Sequence, residues 1–236
     1  MRDLKLGDLL SEAFEIYQTN FGQWVLVSLV YIVLIVISTL ACILPVFIVA
    51  PALSAGMCLI ALNHIRHGKI EIGDMFKGFE NFGAVFVTGL AIAGIGILCY
   101  LPAFIFQSIG AIIIESSYRS GVHIIGMIFS GLGVLFYLIG LIPLVYFITR
   151  FLFVFPLIMD KKVGFKEAYK LSKEKVEEGF WNALLIYIIS AIIGSIGSIV
   201  CGIGYLFTLP MMFLMQVLAY HKLFTPEIST IKSEQD

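Results

Sequence analysis

Four long stretches of the chain contain no Asp, Glu, Lys or Arg. They extend from Ile16 to Ile65, from Asn81 to Ile114, from Ser120 to Thr149 and from Gly179 to His221. A helix of about 20 apolar residues crosses the hydrocarbon core of a bilayer. The first and last stretches are about twice that length and predict a helical hairpin each, whereas the two middle stretches predict one crossing each. The pattern therefore predicts an all-α, polytopic bundle of about six membrane-spanning helices.

Prolines and glycines mark the expected turns of the two hairpins. Pro45 and Pro51 predict the first turn because proline interrupts a helix, and Gly202 and Gly204 predict the second turn. A charged stretch precedes the first apolar stretch, and no short apolar region ends in a small-residue cleavage site. We therefore expect no cleavable signal peptide, so that the first span acts as its own anchor.

The composition agrees with a membrane protein. Of the 236 residues, 60% are hydrophobic and 13% are charged, and the mean hydropathy is +1.01, unlike that of ordinary soluble domains. The four cysteines lie in apolar stretches without metal-ligand spacing, and we expect them to be reduced packing residues: Cys42, Cys58, Cys99 and Cys201. His64 and His67 have a spacing that can hold a metal ion on a helix. Because the sequence offers no third ligand, we expect interfacial histidines and neither a metal nor a cofactor.

Nearly all basic residues fall on one side of the predicted topology. Of the 15 Lys and Arg residues, only Arg119, in the loop ESSYRS, falls on the other side. The remaining ones are Arg2, Lys5, Arg66, Lys69, Lys77, Arg150, Lys161, Lys162, Lys166, Lys170, Lys173, Lys175, Lys222 and Lys232. Because cytoplasmic loops carry an excess of Lys and Arg, this distribution predicts that both termini lie in the cytoplasm.

A similar segment precedes three of the predicted crossings. The three copies are KLGDLLSEAFEIYQTNFGQW, EIGDMFKGFENFGAVF and VGFKEAYKLSKEKVEEGFWN. Each predicts an amphipathic helix in the headgroup plane, with Asp8 and Asp74 as N-caps. The predicted apolar faces are Leu6, Leu10, Ala13, Tyr17 and Phe21 in the first copy, and Phe165, Ala168, Tyr169, Ser172, Val176 and Phe180 in the third. The repeat predicts units at residues 1–68, 69–160 and 161–224, followed by a polar cytoplasmic tail at residues 225–236.

From Arg150 onward, RFLFVFPLIMDKKVGFKEAYKLSKEKVEEGFW resembles the signature of a large group of uncharacterised prokaryotic integral membrane proteins. The group is similar to the membrane domain of some glycerophosphoryl diester phosphodiesterases. The matching residues are Arg150, Pro156, Asp160, Gly164, Ala168, Ser172, Gly179, Phe180 and Trp181, with Asp74, Phe76, Gly78 and Phe79 in the central segment. The resemblance implies a multi-pass protein of the prokaryotic cytoplasmic membrane. It implies no catalysis, because the phosphodiesterase chemistry of those fusions belongs to a separate soluble barrel for which this chain has no room.

Enzyme motifs are absent from the sequence. The chain has no glycine-rich phosphate loop before a lysine, no His-Glu-x-x-His and no serine in a glycine-flanked elbow. We therefore predict that the protein is not an enzyme. Three polar residues within the apolar stretches, Gln107, Ser190 and Gln216, have two interpretations. They form hydrogen bonds between helices, or they line a route for a lipid or a neutral solute.

The lysines around the third amphipathic segment are the main candidates for contacts with lipid headgroups or a partner. The candidate residues are Lys161, Lys162, Lys166, Lys170, Lys173 and Trp181. Clustered lysines attract anionic headgroups at roughly 1 kcal/mol each near a membrane surface. We predict a protein that organises, binds or senses lipid or a partner membrane protein; the alternative is a transporter or permease component for a lipid or hydrophobic solute. The expected partners are membrane lipids, another membrane protein or a second copy of the chain, and not nucleic acid.

Overall fold

The computed structural model describes residues 5–41, 43–116, 120–199 and 203–224. Its α-helices are α1 (Leu6–Thr19), α2 (Phe21–Ala41), α3 (Ile43–His67), α4 (Phe82–Ser116), α5 (Ser120–Arg150), α6 (Val154–Lys161), α7 (Phe165–Glu177), α8 (Phe180–Ile199) and α9 (Tyr205–Phe224). A 3-10 helix, Ile72–Phe79, lies between α3 and α4. Within the described residues, six segments are long and apolar enough to cross a membrane: Phe21–Leu40, Val46–His67, Phe82–Ser116, His123–Lys161, Phe180–Gly197 and Tyr205–Phe224. The predicted all-α polytopic bundle is confirmed, and the chain is a multi-pass membrane protein.

The first hairpin turn differs from the prediction. Helix α2 ends at Ala41 and α3 begins at Ile43, so the turn precedes both prolines. Pro45 lies in the first turn of α3, where N–H groups have no acceptor within the helix. The N–H that proline lacks therefore costs no helical hydrogen bond. Pro51 lies inside α3, and its prediction as a turn residue is wrong. Spanning helices tolerate proline because neighbouring helices and local adjustments satisfy the freed backbone groups.

The second hairpin turns where the glycines predicted it. Helix α8 ends at Ile199 and α9 begins at Tyr205, directly after Gly204, whereas Gly202 lies outside the described residues. A Cβ on Gly197 would stand 2.3 Å from the Oγ1 of Thr208, and one on Gly204 would stand 2.6 Å from the carbonyl oxygen of Gly197. The two backbones touch at the tip of this hairpin, which only residues without a side chain allow.

The chain divides into two compact units. Unit 1 contains Met1–Gly89 and Thr149–Asp236, and unit 2 contains Leu90–Ile148. This division follows the packing of the helices and differs from the predicted repeat units at residues 1–68, 69–160 and 161–224. The repeat itself stays a prediction.

The core of unit 1 lies where α3 packs against α6 and α9. Helix α6 is buried on nearly all sides, with Val154, Leu157 and Ile158 at 0% exposure. Trp24 of α2 and Tyr220 of α9 are the largest of the fully buried side chains in the described residues. The interior of unit 1 is therefore built from the later half of α3, the start of α2, the short helix α6 and the buried side of α9.

Helix α1 packs along α9. Its buried face consists of Leu9, Ala13 and Tyr17. Leu10, which the sequence places on the apolar face of this helix, is 37% exposed and does not belong to the face that packs on α9. Glu12 forms an ion pair with Lys222 near the end of α9, and the ring of Phe21 stacks on that of Phe207 near its start, with centroids 5.9 Å apart. The contacts of α1 and the start of α2 thus extend over much of the length of α9.

The segment between α3 and α4 folds back along α3. The sequence predicted an amphipathic helix here, and the structure has a helix of the 3-10 type, Ile72–Phe79. A Cβ on Gly56 would stand 2.0 Å from the carbonyl oxygen of Met75, and one on Gly78 would stand 1.9 Å from that of Ala52. Glycine weakens an α-helix, and here it allows the backbone of the segment to lie directly on the backbone of α3. This copy of the repeat therefore contains the predicted helix, in a 3-10 form that packs on α3.

Unit 2 is a helical hairpin made from the later part of α4 and most of α5. Small residues hold its two arms close, since a Cβ on Gly110 would stand 2.4 Å from the Oγ of Ser130. The rings of Tyr100 and Tyr137 stack with centroids 4.6 Å apart. Large aliphatic side chains are exposed along both arms. Helices that face lipid expose apolar side chains of this kind.

Candidate functional site

Three lysines surround the junction of α6 and α7. Lys161 ends α6, Lys162 has a left-handed backbone with φ of 52°, and Lys166 lies in the first turn of α7. We call this group, Lys161, Lys162 and Lys166, the lysine turn. The ammonium of Lys161 lies 5.6 Å from the centroid of the Phe224 ring in α9. This cation–π contact holds the lysine side chain against α9.

Helix α7 is held on the bundle by its apolar face and by Ser172. Ala168, Ser172 and Val176, which the sequence places on one apolar face, are buried. The Oγ of Ser172 donates a hydrogen bond to the carbonyl oxygen of Arg150 at 2.7 Å and accepts one from the N–H of Phe153 at 3.3 Å. These are backbone groups at the break between α5 and α6, where the helical hydrogen bonds are interrupted. One serine therefore joins α7 to the helix break and fixes the charged face of α7 outward.

The lysines of α7 differ in their charge environment. Lys170, Lys173 and Lys175 lie 4.0, 3.9 and 2.8 Å from carboxylate oxygens of Glu174, Glu177 and Glu178, respectively. The hydrogen bond from Lys175 lowers the pKa of the Glu178 carboxyl. The three members of the lysine turn form no ion pair with any residue that the structure describes. The first turn of α7 also contains Glu167, so the lysine turn leaves an excess of positive charge at the start of the helix, whereas the lysines further along are largely compensated.

Trp181 follows α7 and opens α8. Its side chain is 74% exposed, the opposite of Trp24, which is fully buried. A tryptophan at the start of a spanning helix is typical of the membrane–water interface, where the ring sits at the level of the headgroups. Trp181 lies at the far end of α7 from the lysine turn, so the two features flank one amphipathic helix.

An ion pair that the sequence did not predict lies directly beside the lysine turn. Asp160 of α6 accepts hydrogen bonds from Arg66 of α3, at 2.5 Å from Nη1 to Oδ1 and 2.9 Å from Nη2 to Oδ2. The hydroxyl of Tyr220 in α9 donates to Oδ2 at 2.7 Å. In the sequence, the only features that indicated this ion pair were an acidic residue at the end of one apolar run and an arginine at the end of another. The triad joins the ends of three helices and pairs the carboxylate that directly precedes Lys161.

A second buried polar group joins α1, α2 and α3. The indole N–H of Trp24 donates to the Nδ1 of His64 at 3.3 Å, and the side-chain amide of Asn20 lies 2.9 Å from its Nε2. Because an indole nitrogen only donates, Nδ1 must accept, and a neutral imidazole then carries its proton on Nε2. Asn20 therefore accepts the hydrogen bond of this N–H with its amide oxygen. The oxygen and nitrogen of the Asn20 amide are then exchanged, which the equal shape of its two ends allows. Both ring nitrogens of His64 therefore form hydrogen bonds that join α3 to the end of α1 and the start of α2.

Asp74 takes part in a third polar group. Its Oδ2 accepts a hydrogen bond from Asn63 at 2.6 Å, and its Oδ1 lies 2.6 Å from the ammonium of Lys77. The hydrogen bond to Asp74 raises the pKa of Lys77. Glu71 and Lys5, rather than the two aspartates, precede the first residues of their helices, so the prediction of Asp8 and Asp74 as N-caps is wrong. Asp74 instead fixes the 3-10 helix to α3.

The three intramembrane polar candidates occupy different surroundings. Ser190 is fully buried, and its hydroxyl has no hydrogen-bond partner in the described part of the chain. In the α8–α9 hairpin, a Cβ on Gly194 would stand 3.1 Å from the Sδ of Met212, a register that continues to Ser190 and Gln216 one turn further on. Ser190 and Gln216 thus lie at one level of unit 1. Gln107 lies in unit 2 and is exposed.

The described residues contain no group of three or more His, Cys, Asp or Glu side chains that would hold a metal ion. Cys58 and Cys99 are free thiols, and Cys42 and Cys201 lie outside the described residues, as do Arg2, Arg119 and Lys232. No protein-family model, curated protein or solved structure matches the chain. The resemblance to the phosphodiesterase membrane domain therefore stays a prediction.

Proposed function

We propose that the protein is a non-enzymatic component of the prokaryotic cytoplasmic membrane that binds anionic lipid headgroups through the lysine turn. The observation that carries this proposal is the contrast along α7. Its later lysines face glutamates, whereas Lys161, Lys162 and Lys166 form no ion pair among the described residues. The one neighbouring carboxylate within α6, Asp160, is bound to Arg66 and Tyr220. Three ammonium groups that form no ion pair among the described residues lie on one turn and provide a binding surface for phosphate-bearing headgroups.

The attachment of α7 to the rest of unit 1 supports specific binding of headgroups rather than diffuse electrostatic attraction. Ser172 holds the helix to the backbone of Arg150 and Phe153, and Arg150 also pairs with Glu177 at 2.9 Å. A surface that is already ordered loses little conformational entropy when it binds a ligand. The exposed ring of Trp181 at the other end of α7 provides an interfacial anchor for the same helix.

The orientation of the lysine turn toward the cytoplasm is part of the proposal. The Arg66–Asp160–Tyr220 triad brings together the ends of α3, α6 and α9, and this same end carries Lys161, Lys162 and Lys222. An excess of basic residues at one end of a membrane bundle favours its location in the cytoplasm. Reporter fusions test this: a fusion after Lys232 should report the cytoplasm and one at Arg119 the outside, and the reverse result contradicts the proposal.

Native mass spectrometry of the detergent-solubilised protein tests lipid binding. The protein is titrated with phosphatidylglycerol, and separately with phosphatidylcholine as the zwitterionic comparison. We expect tighter binding of phosphatidylglycerol, and the triple variant Lys161→Gln, Lys162→Gln, Lys166→Gln should lose about tenfold or more in affinity for it, since each lysine contributes roughly 1 kcal/mol.

The matched control removes the same charge from the paired lysines. The triple variant Lys170→Gln, Lys173→Gln, Lys175→Gln has the same net charge as the lysine-turn variant, but each of its lysines lies beside a glutamate. We expect this control to retain most of the preference for phosphatidylglycerol. If the two triple variants lose affinity equally, net charge rather than the lysine turn attracts the lipid. If neither loses affinity, the proposed function fails.

A further inference from the structure

Unit 2 carries a groove on the surface of its hairpin. Ala103 and Gly133 line the groove together with the stacked rings of Tyr100 and Tyr137. The groove has a volume of about 430 Å³ and is open to the surface. Apart from the hydroxyls of the two tyrosines, the polar group of the lining is the amide of Gln107, whose Oε1 would stand 2.8 Å from a Cβ on Gly133. The amide therefore lies over the backbone of α5, inside the groove.

Gln107 has no hydrogen-bond partner in the part of the chain that the structure describes. Eight residues separate it from Glu115, the first charged residue toward the tip of the hairpin, which is about 12 Å along a helix. This distance brings the amide below the headgroups and into the apolar part of a candidate span. In hydrocarbon no water is present to satisfy the amide, so an unpaired side chain at this depth is costly.

We propose that the groove binds the groove of a second copy of the chain. A glutamine amide carries both a donor and an acceptor, and two such amides related by a twofold axis satisfy each other. The ring of Phe104, one of the residues that line the groove, is 70% exposed and supplies the projection that enters the recess of the partner. An isologous interface requires this combination of a projection and a recess on one surface.

A second copy fits the groove better than a lipid tail does. An acyl chain fills apolar space but offers no hydrogen-bonding group at the depth of Gln107, so it leaves the amide unpaired. The second copy brings the complementary amide to the same depth by symmetry. Polar side chains hydrogen-bonded across spanning helices are an established source of association in membranes, and small residues such as Ala103 and Gly133 let the backbones approach.

The test is single-molecule photobleaching of the labelled full chain in vesicles at low protein density. We expect two bleaching steps for the wild-type protein and a dissociation constant roughly tenfold higher for Gln107→Leu, which preserves size and removes the hydrogen bonds. Gln107→Asn retains an amide and should retain dimers, and Phe104→Ala should weaken them. Because Gln107 and Phe104 are exposed, all three variants should keep the thermal stability of the monomer.

Gln216→Leu is the matched control, because it makes the same substitution in a span of unit 1. We expect it to leave the dimer unchanged. A wild-type protein that is monomeric in vesicles overturns the proposal, and so does a dimer that Gln107→Leu does not weaken. A monomer that retains one lipid, lost on the Gln107→Leu substitution, assigns the groove to a lipid and equally overturns it.

Discussion

Arg66 and Asp160 lie 94 residues apart in the sequence and form a two-pronged ion pair in unit 1, with donor–acceptor distances of 2.5 and 2.9 Å. The side chain of Asp160 is only 17% exposed, so its charge depends on the guanidinium and on the hydroxyl of Tyr220. The pair connects the end of the second span to the short helix α6. It thereby determines where the lysine turn begins, since Lys161 is the next residue.

Asp160→Asn should lower the free energy of unfolding by about 2 kcal/mol, because it removes a charge-assisted hydrogen-bond acceptor and leaves Arg66 unpaired at a partly buried position. Unfolding in mixed detergent micelles, followed by circular dichroism, measures the change. Tyr220→Phe should cost less, about 1 kcal/mol, because only one hydrogen bond is lost.

Glu174→Gln is the control for this ion pair. The carboxylate of Glu174 lies 4.0 Å from Lys170 on an exposed face, and such a pair contributes at most about 1 kcal/mol. A loss of stability for Asp160→Asn no greater than that for Glu174→Gln would mean that the triad does not hold the three helices together.

The spans were predictable from the sequence because the requirement for them is local. A helix in hydrocarbon satisfies its own backbone groups, so length and hydropathy are enough to identify it. The same physics explains the error at Pro51, since a spanning helix tolerates a proline that would end a helix in water. Gly204 was correctly interpreted as a turn residue of the second hairpin, where contact between two backbones leaves no room for a side chain.

The polar contacts of unit 1 were not predictable from one sequence. Arg66, Asp160 and Tyr220 come from three segments, and nothing in the spacing of each segment identifies its partners. The buried face of α1 shows a subtler limit: Leu9 and Leu10 are equally apolar, and only the packing against α9 decides that Leu9 is buried. The lysines were identified as a group, but which of them are paired depends on the rotation of α7 about its axis.

Gly78→Ala should detach the 3-10 helix from α3. The new methyl group would stand 1.9 Å from the carbonyl oxygen of Ala52, so the two backbones must separate. Overpacking of this kind typically costs 1–3 kcal/mol, and here we expect about 3. Thermal unfolding measures the loss, and faster hydrogen exchange within Ile72–Phe79 locates it.

Gly73→Ala provides the control within the same 3-10 helix, because a Cβ at Gly73 meets nothing within 4 Å. It should be neutral or slightly stabilising, as alanine restricts the unfolded chain. Similar losses for Gly73→Ala and Gly78→Ala would indicate that the segment is sensitive to any substitution, and that its contact with Ala52 is not the reason.

Ser172→Ala should destabilise the junction of α5, α6 and α7. It leaves the carbonyl oxygen of Arg150 without this donor and the N–H of Phe153 without its acceptor in a buried location, at a cost of about 2 kcal/mol. Protease sensitivity of the helix break measures the local effect. Ser11→Ala removes only a hydroxyl that bonds to its own exposed helix, and it should change neither stability nor cleavage.

His64 should be a neutral imidazole protonated on Nε2, because its Nδ1 accepts the hydrogen bond of Trp24. Solid-state NMR of the protein with ¹⁵N-labelled histidine in bilayers distinguishes the two tautomers by their nitrogen shifts. Trp24→Phe removes the only donor that the structure directs at Nδ1 within the described residues, so the preference for the Nε2–H form should weaken. Trp181→Phe, at an exposed position outside this group, should leave the shifts of His64 unchanged. A wild-type His64 protonated on Nδ1 would contradict the assignment, because an imidazole N–H and an indole N–H pointing at each other make no hydrogen bond, and the contact that joins α2 to α3 would then have another origin.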